Sequence, residues 1–165
     1  MARIAPVVLA LAAAGCYGPL ETAPNVDTSR LSGTWYEIAH LPRTTQEGCT
    51  QTTATYAPIE DGKLSVLHQC TLANGAIQKS AATLYDLGDA SHAKLGIDLG
   101  GFIGDYWITD VASDYRYVVV GHPSRDYLWI LSRDKHMAQS DLDAVLARAK
   151  SEQFDVSKLE YTTQN

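Results

Sequence analysis

The sequence is short of phenylalanine, positive charge and cysteine, and each shortage excludes something. Two Phe stand against nine Tyr and three Trp. That bias favours strands and walls of polar-tipped aromatic rings over a helical bundle. Thirteen Lys and Arg against nineteen Asp and Glu give a net charge of −6. No basic cluster is present, which argues against nucleic acid as a partner. The five histidines, His40, His68, His92, His122 and His136, have no metal-ligand spacing, so no metal site is expected. No glycine-rich phosphate loop is seen, and "GGFIGD" at 100–105 reads as a flexible connection. No serine sits in a nucleophile elbow. Binding is favoured over catalysis, with no cofactor. The 165 residues suffice for one domain with a real core.

The longest apolar run is also short. Arg3 precedes "IAPVVLALAAA" at 4–14, which is too short to span a bilayer. Gly15 and Cys16 follow. The quartet Ala13-Ala14-Gly15-Cys16 resembles a bacterial lipobox, with alanine at 13 where leucine is more usual. The resemblance implies a signal peptide at 1–15 and Cys16 as the acylated mature N-terminus, the site of lipidation. Tyr17 is not aspartate, so the family's inner-membrane retention rule does not apply, and a lipid anchor in the bacterial outer membrane is implied. The alternative is an ordinary secretory signal cut nearby, with Cys16 lost or free. Residues 16–30 carry two prolines and no periodicity and read as a tether to a domain at 31–165. With Cys16 acylated, Cys49 and Cys70 remain, and an oxidising compartment favours pairing them. Folding a hairpin about "IEDG" sets them nearly opposite, and a loop of about twenty residues is worth roughly 3 kcal/mol.

From Leu31 the chain is a series of short strand-like runs. They are "GTWYEIAHLP", "TQTTATYA", "KLSVLHQCT", "IQKSAATLYDL", "HAKLGIDL", "DYWITDVA", "YRYVVVG" and "YLWILSR". Turn signals separate them, Asn74-Gly75 the strongest. The period then changes. Leu142, Val145, Leu146 and Ala149 recur at helical spacing, with Ser140 as the expected N-cap. "SKLEYTT" reads as a last short strand. The pattern predicts an all-β fold: an eight-stranded antiparallel up-and-down barrel with one C-terminal α-helix packed outside. Closure removes the edges, and eight strands leave room for one small ligand.

Alternation assigns the faces. Leu64, Val66, His68 and Cys70 share one face of the third run, and Leu95, Ile97 and Leu99 one face of the fifth. Tyr127, Trp129, Leu131 and Arg133 oppose Leu128 and Ile130 in the eighth. Both faces there are apolar, so the helix must cover the outer one. Trp107 then points outward if Tyr106 and Ile108 point in.

Three short motifs carry a family resemblance. Gly33-x-Trp35 opens the first run, "SDYRY" stands at 113–117, and Arg133 ends "YLWILSR". In this order and spacing they resemble the signatures of the lipocalins, over about residues 25–163. Within that family, "WYEI", "ATY" and "WILSR" resemble stretches of bacterial outer-membrane lipocalins and of apolipoprotein D. The resemblance implies structural roles for Gly33, Trp35, Asp114, Tyr115 and Arg133. Trp35 would plug the barrel base under Arg133, a cation–π pair worth about 1–2 kcal/mol. Alignment to apolipoprotein D puts Tyr56, His68 and Trp129 in the ligand wall. Strand parity adds Leu95, Ile97, Tyr106, Ile108, Tyr117, Val119 and Tyr127. Tyr56 and His68 are the candidate partners for a lipid's polar end at the mouth. The implied ligand is a fatty acid or lysophospholipid, held for storage, transport or maintenance of outer-membrane lipid. A homodimer is left open.

One enzymatic alternative stands beside this reading. Some lipocalins use an unpaired cysteine inside the barrel, and Cys70 lies two residues from His68 on the same face. A thiolate activated by imidazole would be the nucleophile if Cys49 fails to pair.

Overall fold

A computed structural model describes residues 17–165; Cys16 and the apolar run before it lie outside the described residues. A short 3₁₀ turn over Thr28–Leu31 leads into β1 (Gly33–His40). β2 (Thr50–Pro58), β3 (Leu64–Thr71), β4 (Ile77–Asp86) and β5 (Lys94–Asp98) follow, each antiparallel to the one before. β6 (Ile103–Val111), β7 (Tyr117–Gly121) and β8 (Leu128–Ser132) complete the meander. β1 pairs with both β2 and β8, which closes the sheet into a barrel. The helix α1 (Gln139–Ser151) comes next, and β9 (Glu160–Tyr161) adds to β1 outside.

Two cores result from the alternation of apolar side chains. The inner one includes Trp35, Val66, Leu84, Leu95, Ile108, Val118, Val120 and Leu131. The outer one joins Val119, Leu128 and Ile130 to Val145 and Ala149 of α1. Trp107 packs against the outer cluster, as its parity requires. A bulge in β1 between Glu37 and Ala39 sends both Ile38 and Ala39 to the outer cluster.

Four expectations are corrected. Tyr117 and Val119 do not face the barrel interior. Val118 pairs with Leu131 and Val120 with Trp129, so those valines point inward, while Val119, opposite Ile130, lies under α1. Three consecutive valines are apolar on both faces, and only the register with β8 decides which face is inside. The helix starts one residue before Ser140, with Ala138 as N-cap and no side-chain cap. Asp141 in that first turn instead accepts two 2.7 Å hydrogen bonds from Arg116. Of the expected tether at 16–30, the described residues 17–30 are mostly not free. Leu20, Ala23 and Val26 are buried, Ala23 N–H donates to Ile108 at 2.9 Å and Val26 N–H to Ser91 at 2.7 Å. Its apolar residues find partners in both cores, so docking begins at Leu20, ahead of Leu31. Lastly, "GGFIGD" opens with a tight two-residue hairpin turn, closed by a 2.9 Å bond from Leu99 N–H to the Phe102 carbonyl.

The turns define two ends. At the base, Trp35 is fully buried and its Nε1 donates to the Leu31 carbonyl at 2.7 Å. The Arg133 guanidinium lies 3.7 Å from the centre of the Trp35 ring and donates to the carbonyls of Thr34, Arg30 and Ser32. Gly33 adopts φ +99°, and a Cβ there would meet Arg133 at 3.1 Å. Tyr115 accepts a 2.7 Å bond from Asp27 N–H and lies under Arg30, tying the N-terminal segment across the base. Asp114 fixes the β6–β7 turn by accepting from the Arg116 backbone and side chain. The other end stays open.

Candidate functional site

A cavity of about 500 Å³ enters the barrel from the open end. Its floor is aromatic. Tyr56 and Tyr106 share a hydroxyl–hydroxyl hydrogen bond, and both are buried. Burial pushes the Tyr56 hydroxyl up to about 12 and the Tyr106 hydroxyl well above its ordinary value, so the floor is uncharged at physiological pH. Below it, Leu95 and Ile108 belong to the solid inner core.

The walls come from six strands, β2 to β6 and β8, and the loops above them. β3 contributes His68, β5 Ile97, β6 Tyr106 and β8 Trp129, with Tyr127 just before β8. Tyr127 and Trp129 stack with ring centres 6.2 Å apart, and Tyr106 stacks on Trp129 at 6.4 Å. Burial lowers the pKa of His68, so its imidazole is neutral at physiological pH. Above the walls, the loop between β1 and β2 brings Arg43, Thr45 and Gln46 over the cavity. The Arg43 guanidinium lies 4.8 Å from the ring centres of both Tyr127 and Trp129. Among the described residues it forms no ion pair with a carboxylate.

A buried chain of polar groups holds this loop. Trp129 Nε1 donates to Gln46 Oε1 at 3.1 Å, and Gln46 Nε2 donates to Glu37 Oε2 at 2.8 Å. Thr162 Oγ1 donates to Glu37 Oε1 at 2.5 Å, and His40 Nδ1 lies 3.0 Å from the same oxygen. Burial disfavours the Glu37 carboxylate, but its contacts with His40, Thr162 and Gln46 outweigh that and hold its pKa below the ordinary carboxylate value. Burial likewise opposes charge on His40, and Glu37 with Glu160 outweighs it, raising the His40 pKa. On the opposite side of the loop, Cys49 and Cys70 form a disulfide with Cα atoms 5.4 Å apart, also lining the cavity. The bridge removes the free Cys70 thiol that the enzymatic alternative requires.

The sequence-derived ligand wall is therefore divided. His68, Ile97, Tyr106, Tyr127 and Trp129 come together on the cavity. Tyr56 lies in the floor beneath Tyr106, far from the mouth, so it is not placed for a lipid head there. Leu95 and Ile108 are core beneath the cavity, and Tyr117 and Val119 are outside the barrel. Sequence reasoning missed Arg43, Gln46 and Phe102. They sit in connections without periodicity, where only a lone arginine before Cys49 and an aromatic after two glycines mark the place.

A lipocalin-like domain model matches residues 26–164. The outer membrane lipoprotein Blc of Citrobacter freundii is 36% identical, over 98% of each chain. Apolipoprotein D of Macaca fascicularis is 29% identical, over 96% of this chain and 94% of its own. Among solved structures, insecticyanin from the tobacco hornworm Manduca sexta superposes with a TM-score of 0.69 at 25% identity, covering 90% of this chain and 86% of that one. With the closed barrel, the outer helix and Trp35 sealed under Arg133, these likenesses establish that the chain belongs to the lipocalin family.

Proposed function

We propose that the barrel binds one acyl lipid with an anionic head, a fatty acid or a lysophospholipid, and that an acyl anchor on Cys16 holds it at the outer membrane. The carrying observation is the pairing of a cavity that has an uncharged, aromatic floor with a guanidinium above it that, among the described residues, forms no ion pair with a carboxylate. The apolar chain would run down to Tyr106 against Trp129 and Ile97. Arg43 would meet the carboxylate or phosphate at the mouth, where a planar fork of donors suits either group. The neutral His68 would lie along the chain. A cavity of about 500 Å³ is within the usual range for small-ligand sites.

The anchor reading rests on the Ala-Ala-Gly-Cys quartet and on the relatives named outer membrane lipoproteins. One acyl chain gives marginal membrane binding, and several anchor stably. Storage, transport or maintenance of membrane lipid would follow from an anchored carrier. The test compares a fatty acid with the fatty alcohol of equal length. Arg43→Gln should weaken fatty-acid binding about tenfold, and leave the alcohol unchanged. Equal losses for both, or none, would refute the assignment of the head group.

A further inference from the structure

We propose that the rim of the barrel around Phe102 and Ile103 docks on a phospholipid bilayer, so that the cavity opens toward the membrane surface. The inference rests on the reading of the cavity as a lipid site and of Cys16 as the anchor.

The first observation is the turn between β5 and β6. Gly100 and Gly101 both adopt positive φ, +79° and +124°, which L-residues with side chains rarely take up. The turn is pinned by Leu99 N–H to Phe102 O at 2.9 Å and by Gly100 N–H to Asp98 Oδ1 at 2.8 Å. This holds Phe102 and Ile103 outward at the mouth, each 66% exposed, with Leu99 at 41%. Large apolar side chains grouped in this way are costly in water and mark a contact surface.

The second observation is continuity. Leu99 and Phe102 also line the cavity. On the outside, Phe102 and Ile103 line a shallow groove with Tyr85 and Leu87, bordered by Asp105 and His122. The apolar side chains of Ile103, Phe102 and Leu99 therefore run from the outer surface over the lip and into the barrel, with Asp105 and His122 beside them. An acyl chain leaving a bilayer could keep in contact with these three side chains on its way into the cavity. The segment "LGGFIG" at 99–104 contains no charged side chain, so the attraction is apolar.

The third observation is where the chain begins its docked course. Gly18 O accepts a 2.9 Å bond from Arg125 in the turn between β7 and β8, and Arg125 lies over the Tyr17 ring at 5.5 Å. That turn is next to the Phe102 lip on the same rim, and His122 in it lies 3.8 Å from Asp105 just below the lip. Leu20 is already buried, so only Tyr17, Gly18 and Pro19 separate Cys16 from a docked residue. Each residue spans at most about 3.5 Å. An acyl anchor at Cys16 would hold the mouth, not the Trp35 base, against the lipid. Anchor and lip then address one surface.

The test uses the full mature protein purified from membranes and reconstituted in phosphatidylcholine vesicles, with plain or brominated acyl chains. Ile103→Trp adds a reporter at the lip without entering the cavity, and Ile59→Trp adds one at the exposed turn of the base. The expected result is a blue shift and loss of the added emission for Ile103→Trp in brominated vesicles, with Ile59→Trp unaffected. Quenching of both, of neither, or of Ile59→Trp alone overturns the proposal. So does a blue shift of Ile103→Trp without vesicles that bromine leaves untouched, because the lip would then face a second copy of the chain. Fatty-acid titration of the same variants reads the cavity separately. Quenching at the lip with no fatty-acid response would break the ligand reading and leave the docking surface standing.

Discussion

The two ends of the barrel are made of similar residues used in opposite ways. Each has a tryptophan from an inward-facing strand position with an arginine over its ring. At the base, Arg133 lies 3.7 Å from the Trp35 centre and spends its other donors on three backbone carbonyls. Trp35 is fully buried. At the mouth, Arg43 stands farther off, 4.8 Å from Trp129, and shares itself with Tyr127. Trp129 is half-buried and faces open space. A saturated pair closes a barrel, and an unsaturated one leaves an arginine available to a ligand. Stability should therefore concentrate at the base and binding at the mouth.

The sharpest way to break that contrast is Trp35→Ala. Removing a fully buried indole should cost about 3–5 kcal/mol, read as a lower urea midpoint, while the folded fraction still binds fatty acid. Lost binding with unchanged stability would reverse the assignment of the two ends.

This contrast also marks what could be read in advance. The base was legible because its residues lie in regular strands with fixed spacing. Gly33, Trp35 and Arg133 are recognisable as a set, alternation put Trp107 outside, and alternation with the family resemblance and the covering helix put Trp129 inside. The mouth was legible only where strands reach it, at His68, Ile97 and Trp129. Arg43 and Gln46 come from a loop whose path is set by a buried carboxylate, Glu37, and no periodicity encodes that. Parity assigns Tyr117 and Val119 to the wrong face because both faces of β7 are buried. The segment at 20–26 looked like a tether because its apolar residues are isolated in sequence. Each finds a different partner on the folded barrel.

The next effect in size belongs to the disulfide near the mouth. Replacing Cys49 and Cys70 together by serine opens a loop with a sequence separation of 21. The loop-entropy account gives a loss of roughly 3 kcal/mol, measured by denaturant unfolding of the oxidised parent against the double variant. An unchanged midpoint would mean that the bridge adds nothing to the hairpin and loop it joins.

The smallest effect concerns Glu37 and His40. The His40 pKa is raised from its ordinary 6.5, so its contribution is complete below that value and is lost as pH rises through the folded-state value. The Glu37 pKa is lowered from 4.5, so its contribution is complete above that value and is lost as pH falls through the folded-state value. The pair should stabilise most between 4.5 and 6.5. The melting-temperature advantage of the parent over His40→Gln should be largest in that window and shrink toward alkaline pH. A constant difference across the range would show that His40 acts by packing alone.

The central claim is that the space above the tyrosine floor is a lipid site, and Trp129 is its natural reporter. Trp35 is sealed in the base and Trp107 packs on the outer cluster, so only Trp129 borders the cavity. The direct measurement is tryptophan emission during titration of fatty acid into delipidated protein, for the parent, Trp129→Phe and Trp107→Phe. A saturable shift in the parent and in Trp107→Phe, nearly abolished in Trp129→Phe, is the predicted result. A full shift that survives in Trp129→Phe, or no saturable response in the parent, would contradict the account.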